Sequence, residues 1–221
     1  GYTGVGGSED PQAVLRAVSS LELIQACALL HDDIIDSSDT RRGRPTAHRT
    51  VETRHRERGW SGDSAHFGRS VAILLGDFAL AWADDLVHSS GLSAAALRRV
   101  QEPWRAMRSE VIAGQLLDVS LEASGSERLE DAERVNRFKT AAYTIERPLH
   151  LGAALADAPQ PVVDAYRKFG ADLGVAFQLR DDVLGVFGDP AVSGKPAGDD
   201  LRVGKSTVLV ASALALADAP N

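Results

Sequence analysis

The chain has 221 residues, enough to bury a full core and to make a single domain. Its 24 Lys and Arg against 31 Asp and Glu give a net charge of −7 with no basic block, which argues against a nucleic-acid partner. A single cysteine, Cys27, excludes an internal disulfide framework and fits a reducing compartment such as the cytoplasm. No stretch has the length and continuous apolarity of a membrane span, "VLVASALALA" near the C-terminus being too short.

Helix signals dominate: Ala and Leu abound, aromatics make up 5%, and no period-two run of β-branched residues persists, so the expected class is all-α. The opening "GYTGVGGSED" reads as a loop. Asp10 and Pro11 form an N-cap with proline at the first helical position, starting a helix that runs to about Asp36. Val14, Val18, Leu21, Ile24 and Ala28 recur at steps of three and four along it, marking a central helix. "SSDTRRGRPTAHRT" follows as a loop. Further helices are expected at about 47–58, 67–89, 94–122 (capped by Ser93), 128–156, 160–187 and 205–218. Between the last two, "GDPAVSGKPAGDDLRVGKS" carries the glycines and prolines of an irregular loop.

Two pairs of adjacent aspartates, Asp32-Asp33 and Asp181-Asp182, stand in otherwise apolar helical stretches, where like charges need a compensating cation. In "DDIID", Asp32 and Asp36 are four apart and share a helical face, with Asp33 just off that line. Oxygen-only donors select a hard cation, Mg²⁺ before Zn²⁺, and Mg²⁺ prefers few carboxylates plus water and substrate phosphates. Arg41 and Arg42 suit bidentate phosphate recognition, Lys139 is a candidate buried phosphate contact, and Lys195 and Lys205 bracket the Gly-rich loop. Arg44, Arg49, Arg54 and Arg56 read as solvated charges and His31 as structural. Gln178 lies three residues before Asp181 on the same helical side, and Gln115 and Asp118 repeat that one-turn relation.

With these pieces assembled, the chain resembles the trans-polyprenyl diphosphate synthases, most of all bacterial geranylgeranyl and farnesyl diphosphate synthases. The motifs that carry the resemblance are "HDDIIDSSDTRRGRPTAH", "ILLGDFALAWA", "GQLLDVS", "FKTAAYT" and "FQLRDDVLGVFGDPAVSGKPAGDDLRVGKST". It implies an antiparallel helical bundle of the isoprenoid synthase type around a central cavity, residues 1–221 forming one domain that is truncated at both ends. It further implies a head-to-tail condensation of isopentenyl diphosphate with an allylic diphosphate, using about three Mg²⁺ ions, in a homodimer.

By that resemblance, Asp32 and Asp36 hold two of the ions and Asp181 a third, with Asp33 and Asp182 in support. Arg41, Lys139 and Lys195 contact the allylic diphosphate, Lys205 helps a closing loop reach it, and Arg42 contacts isopentenyl diphosphate. Lys139 and Thr140, through backbone and side-chain oxygens, and the Gln178 side chain face the allylic cation. Chain length is set by small residues before the first aspartates, here Cys27 and Ala28, with Ile24 and either Phe78 or Leu80 as the floor; geranylgeranyl diphosphate is the favoured product. The second motif reads "DDVLG", with Gly185 in place of a third aspartate and Asp189 as a stand-in through water. The basic segments that the family carries near both termini have no counterpart, as in an excerpt of a longer chain. The rival readings are a terpene cyclase of the same fold and a non-catalytic partner subunit.

Overall fold

The computed structural model describes residues 1–189, 198–202, 204 and 207–217. They form helices α1 (Tyr2–Val5), α2 (Pro11–Ile35), α3 (Ala47–Glu57), α4 (Ser64–His88), α5 (Ala94–Ser124), α6 (Leu129–Val135), α7 (Arg147–Leu155), α8 (Gln160–Phe187), α9 (Asp199–Arg202) and α10 (Val208–Ala217). A π-helical segment, Asn136–Glu146, joins α6 to α7, and a two-residue-per-strand hairpin, β1 (Thr40–Arg41) and β2 (Arg44–Pro45), lies between α2 and α3. The fold is all-α, as expected. The Asp10 carboxylate accepts from Ala13 N–H at 3.0 Å with Pro11 at the first helical position, so the start of α2 is where the sequence predicts it.

Several boundaries need correction. The opening loop contains the short α1, and the loop after α2 contains the hairpin. Helix α4 starts at Ser64 rather than about 67, because Asp63 caps it by accepting from Ala65 and His66 N–H at 2.8 and 3.2 Å. The single helix expected over 128–156 is three consecutive windings, α6, π and α7. Part of the loop expected to be irregular is the four-residue α9. The expectation of no membrane-length apolar stretch also fails: α2 is long and apolar enough to cross a bilayer by length and composition. Its Asp33 is buried and its flank packs on α4, the pattern of a core helix.

The chain gathers into two compact units, Glu9–Ser93 and Gly1–Ser8 with Ala94–Asn221. In the Glu9–Ser93 unit, α2 and α3 both pack on α4, whose buried face is made of Gly68, Ala72, Gly76, Ala79 and Ala83. Small residues let the helices approach closely. A Cβ on Gly76 would stand 2.1 Å from the His31 ring, and one on Gly68 2.4 Å from the His48 carbonyl oxygen. His31 opposite Gly76, and Arg16 donating to the Ser90 carbonyl at 2.7 Å, show that α2 and α4 run antiparallel.

In the other unit, the π segment and α7 lie between α5 and α8. Lys139 meets Gly114 and Arg99 donates to the Ala154 and Leu155 carbonyls at 2.8 and 3.1 Å, so α5 runs antiparallel to the π segment and α7 and closes the C-terminal end of α7. Val100, Trp104, Met107, Ala141, Ala142, Leu151, Leu155 and Val163 are buried in this core. Gly170 faces Glu146 and Gly174 faces Ala141, where a Cβ would stand 2.6 Å from the opposing Cα in each case.

Candidate active site

The first aspartate motif ends α2. Asp32 and Asp33 lie in its last turn and Asp36 is its C-cap, where carboxylates add to the negative end of the helix dipole. An unfavourable charge stack of this kind needs a cation. The hairpin brings one: Arg42 and Gly43 take positive φ of 51° and 72°, the two-residue turn that suits right-twisted strands, and place Arg41 opposite Arg44. The Arg41 guanidinium then donates to Asp33 Oδ1 at 2.8 Å and Asp32 Oδ2 at 3.1 Å. Asp33 is 5% exposed, and burial raises its pKa in spite of Arg41. Asp36 and Arg42 are exposed. The guanidinium expected on a diphosphate therefore sits on the two carboxylates.

Lower on the same helix, Cys27 is buried and Ala28 half-buried; the Cys27 thiol lies 3.8 Å from His31 Nδ1, and burial first, then Asp77, raise its pKa. His31 Nε2 pairs with the Ile73 carbonyl oxygen at 3.1 Å, in agreement with a structural role. Ile24 is buried, Leu80 is half-buried, and Phe78 is exposed with its ring stacked on Trp82 at 5.3 Å.

The second motif lies in the last two turns of α8, within the other unit. Asp181 is exposed and Asp182 buried; the Gln178 amide donates to Asp182 Oδ1 at 2.8 Å. The sequence reading paired Gln178 with Asp181, but both three- and four-residue spacings share a helical side, and the buried carboxylate takes the donor. The Lys139 ammonium pairs with Asp118 Oδ2 at 2.5 Å, and the Thr140 carbonyl accepts from the Thr144 hydroxyl at 2.7 Å. Gln115, next to Gly114, is half-buried. Gly185 accepts from Gly198 N–H at 3.0 Å through its carbonyl, and Asp189 is exposed. Lys195 and Lys205 lie outside the described residues.

The structure thus joins Asp32, Asp33 and Arg41 in one unit, and Lys139 with Asp118, and Gln178 with Asp182, in the other. Among the described residues, no three His, Cys, Asp or Glu side chains are already drawn together as a metal cage. The donor set nonetheless fits Mg²⁺: it is all oxygen, it offers few carboxylates per motif, and basic groups stand by for phosphate.

The sequence reading missed the partner of Lys139, although it singled out Asp118. It also missed a network of ion pairs around the π segment, built on the buried Glu146 and Arg147. Glu146, 2% exposed, pairs with Arg137 at 2.6 Å and Arg167 at 3.1 Å, and Arg147 makes a two-pronged pair with Glu110 at 2.8 and 2.5 Å. These pairings leave no trace in local periodicity, because nine residues separate Arg137 from Glu146 and an α-helix would set them on opposite sides.

Comparison with known proteins matches the polyprenyl synthetase family over residues 2–221. The (2E,6E)-farnesyl diphosphate synthase of Mycobacterium tuberculosis is 35% identical over 203 residues, covering 91% of this chain and 51% of that protein. The geranylgeranyl diphosphate synthase of the same organism is 37% identical over 196 residues, covering 89% of this chain and 51% of that protein. The crystal structure of geranylgeranyl pyrophosphate synthase from Corynebacterium glutamicum, complexed with isoprenyl diphosphate and magnesium, superposes with a TM-score of 0.92 at 63% identity, covering 96% of this chain and 59% of that one. The chain spans about half the length of the curated relatives it matches. With the five motifs in order on an all-α scaffold and the family match running almost end to end, the chain belongs to the polyprenyl synthetase family.

Proposed function

We propose that the protein condenses isopentenyl diphosphate head to tail with an allylic diphosphate, giving a longer trans-prenyl diphosphate, with geranylgeranyl diphosphate the favoured product. The observation that carries the reading is the carboxylate stack at the C-terminal end of α2, where the helix dipole opposes it and the phosphate-matching fork of Arg41 offsets only part of its charge. A fold seeking stability alone has no use for that arrangement; a site that takes up divalent cations and a diphosphate does. The names of the matched relatives, farnesyl and geranylgeranyl diphosphate synthases, support the same reaction class.

In this reading Asp32, Asp33, Asp36, Asp181 and Asp182 hold magnesium, about three ions by family resemblance. When bound, magnesium draws electron density from the allylic diphosphate and so eases carbon–oxygen cleavage. Arg41, Lys139 and Lys195 bind and orient the allylic diphosphate, Lys205 helps close over it, and Arg42, exposed on its turn, binds isopentenyl diphosphate. Lys139 and Thr140 line the path of the allylic cation, and Gln178 offers an amide oxygen to it while its nitrogen is held on Asp182. The held alkene attacks that cation, forming the new carbon–carbon bond; the proton lost leaves to the departed diphosphate, and the electron pair closes the new double bond. No protein nucleophile is required.

Cys27 and Ala28 are small side chains a turn before the first aspartates, with Ile24 buried a turn below them, which supports the longer product. The reading includes a homodimer, supported by the exposed Ile73, Leu74, Leu75, Phe78 and Trp82 on α4, and a cytoplasmic location, supported by the single unpaired Cys27. Incubating the protein with labelled isopentenyl diphosphate, each allylic primer and Mg²⁺, then sizing the products, tests the proposal. Elongated prenyl diphosphates that vanish with a chelator are expected. Cyclic hydrocarbons from a single allylic substrate would instead make the protein a cyclase, and no conversion would leave it a non-catalytic partner.

A further inference from the structure

The π segment is wound around an ion pair that an ordinary helix could not make. Arg137 and Glu146 are nine residues apart and their side chains meet at 2.6 Å. In an α-helix, with 3.6 residues per turn, nine residues are two and a half turns, so the two side chains leave from opposite sides. In a π-helix, whose bonds run from i to i+5, the winding is about 4.4 residues per turn, and nine residues return to the same side after two turns. The pair therefore distinguishes the two windings and favours the wider one.

What lies between its ends is Lys139 and Thr140. Their neighbours depend on the winding: over the seven residues from Lys139 to Glu146, a change from π to α turns Lys139 by about a third of a turn. That rotation would carry its ammonium away from Asp118, which it meets at 2.5 Å, and its backbone away from Gly114, where the chains touch so closely that a Cβ would stand 2.4 Å from the Lys139 nitrogen. The C-terminal end of the segment is anchored twice: Glu146 reaches Arg167 on α8 at 3.1 Å, and Arg147 grips Glu110 on α5. Gly170 and Gly174 supply the notches that let the wide segment lie against α8. One carboxylate, 2% exposed, thus ties the start of the segment, its end and a neighbouring helix together.

We infer that Glu146 is a positioning residue, whose pairing with Arg137 and Arg167 holds the π winding that aims Lys139 and Thr140 at the reacting substrate. The inference rests on the prenyl-transfer reading for its substrate, but its structural half stands apart from it. Misaiming groups that act on the transition state lowers turnover more than ground-state binding.

The test uses the full chain with Glu146→Gln, Glu146→Asp and Arg137→Gln. For Glu146→Gln, kcat is expected to fall roughly 10- to 100-fold while KM for both diphosphates stays within about threefold. Arg137→Gln should copy the effect, the double variant should be no worse than the stronger single one, and Glu146→Asp, which keeps the charge, should recover most of the rate. Hydrogen exchange should speed up at the amides of 136–146 in the charge-neutral variants and stay unchanged in α2. Wild-type kcat in both neutral variants, additive losses, or unaltered exchange across 136–146 would overturn the inference. Should Glu146→Gln fail to fold, Arg137→Gln and Glu146→Asp decide it by the same readings. If the wild-type chain makes no prenyl diphosphate, the functional reading fails, and faster exchange at 136–146 still decides whether the ion pair holds the winding.

Discussion

The two aspartate motifs solve the same electrostatic problem differently. At the end of α2, Asp32 and Asp33 are met by a full positive charge, the Arg41 guanidinium at 2.8 and 3.1 Å. Near the end of α8, the buried Asp182 is met by a neutral amide, Gln178 at 2.8 Å, and Asp181 faces solvent. An amide satisfies a carboxylate's hydrogen bonding without cancelling its charge. The first motif therefore has part of its charge offset by a resident guanidinium, which must give way for metal to enter, whereas the Gln178 contact leaves the charge of Asp182 undiminished.

The strongest way to break this comparison is to remove a carboxylate outright. Asp32→Ala should lower kcat by roughly 10³-fold, because it takes away a charge whose purpose is to assemble the electrostatic environment of the transition state. The measurement is steady-state prenyl transfer at saturating Mg²⁺. Thermal stability without metal should change much less, since Arg41 keeps Asp33 as a partner. If activity survives within a fewfold, the α2 stack is not the metal site.

Exchange of cations at the first motif gives a second test with a smaller effect. Arg41→Ala removes the fork from a buried carboxylate, but the guanidinium is itself about a third exposed, so screening holds the destabilisation to about 1–2 kcal/mol. Magnesium should then restore part of the loss: the rise in Tm on adding Mg²⁺ should be larger in Arg41→Ala than in wild type. The corresponding substitution at the second motif, Gln178→Leu, should weaken stability by a similar amount. Its response to Mg²⁺ should differ, because no resident cation has been removed there. Equal Mg²⁺ responses in the two variants would erase the distinction between the motifs.

How far this distinction could be foreseen depends on what each residue announces locally. Asp10-Pro11, the spacing of Asp32 and Asp36, and the helical run of 160–187 were all legible, because caps and periodicity are written in neighbouring residues. The turn that swings Arg41 back was half legible: Gly43 marked a break, but the positive φ of Arg42 follows from pairing across the hairpin. The π segment was not legible, since α and π windings use the same composition and differ by less than one residue per turn. What selects π here is packing at Gly114, Gly170 and Gly174 against positions far along the chain, together with the Arg137–Glu146 pair, whose nine-residue spacing marks no pair in an α-helix. The choice of Asp182 over Asp181 by Gln178 was likewise a matter of burial, which spacing alone leaves undecided.

Acidification sharpens the comparison last and most gently. Each unit holds an imidazole near its charged cluster, the buried His48 beside Thr46 in one and the half-buried His150 beside Arg147 in the other, and desolvation lowers the pKa of both. His150 Nδ1 lies 3.1 Å from the Arg147 guanidinium, a contact in which the ring must accept and so must be neutral. A folded pKa below the ordinary value of 6.5 means that the unfolded chain takes up the proton first. Stability is therefore full above pH 6.5 and declines as pH falls towards the folded pKa. Thermal unfolding measured between pH 7.5 and 5 should show this decline. His150→Gln should flatten the decline more than it shifts Tm at pH 7.5, with a change smaller than that of Arg41→Ala. Exchange at the amides around 147–150 should rise on acidification alongside it, since protonating His150 sets two positive charges face to face beside the anchor of the π segment. A flat profile in wild type would mean that the Arg147 cluster tolerates a charged imidazole, and that its carboxylates, Glu110 and Glu102, carry more of the balance than its geometry implies.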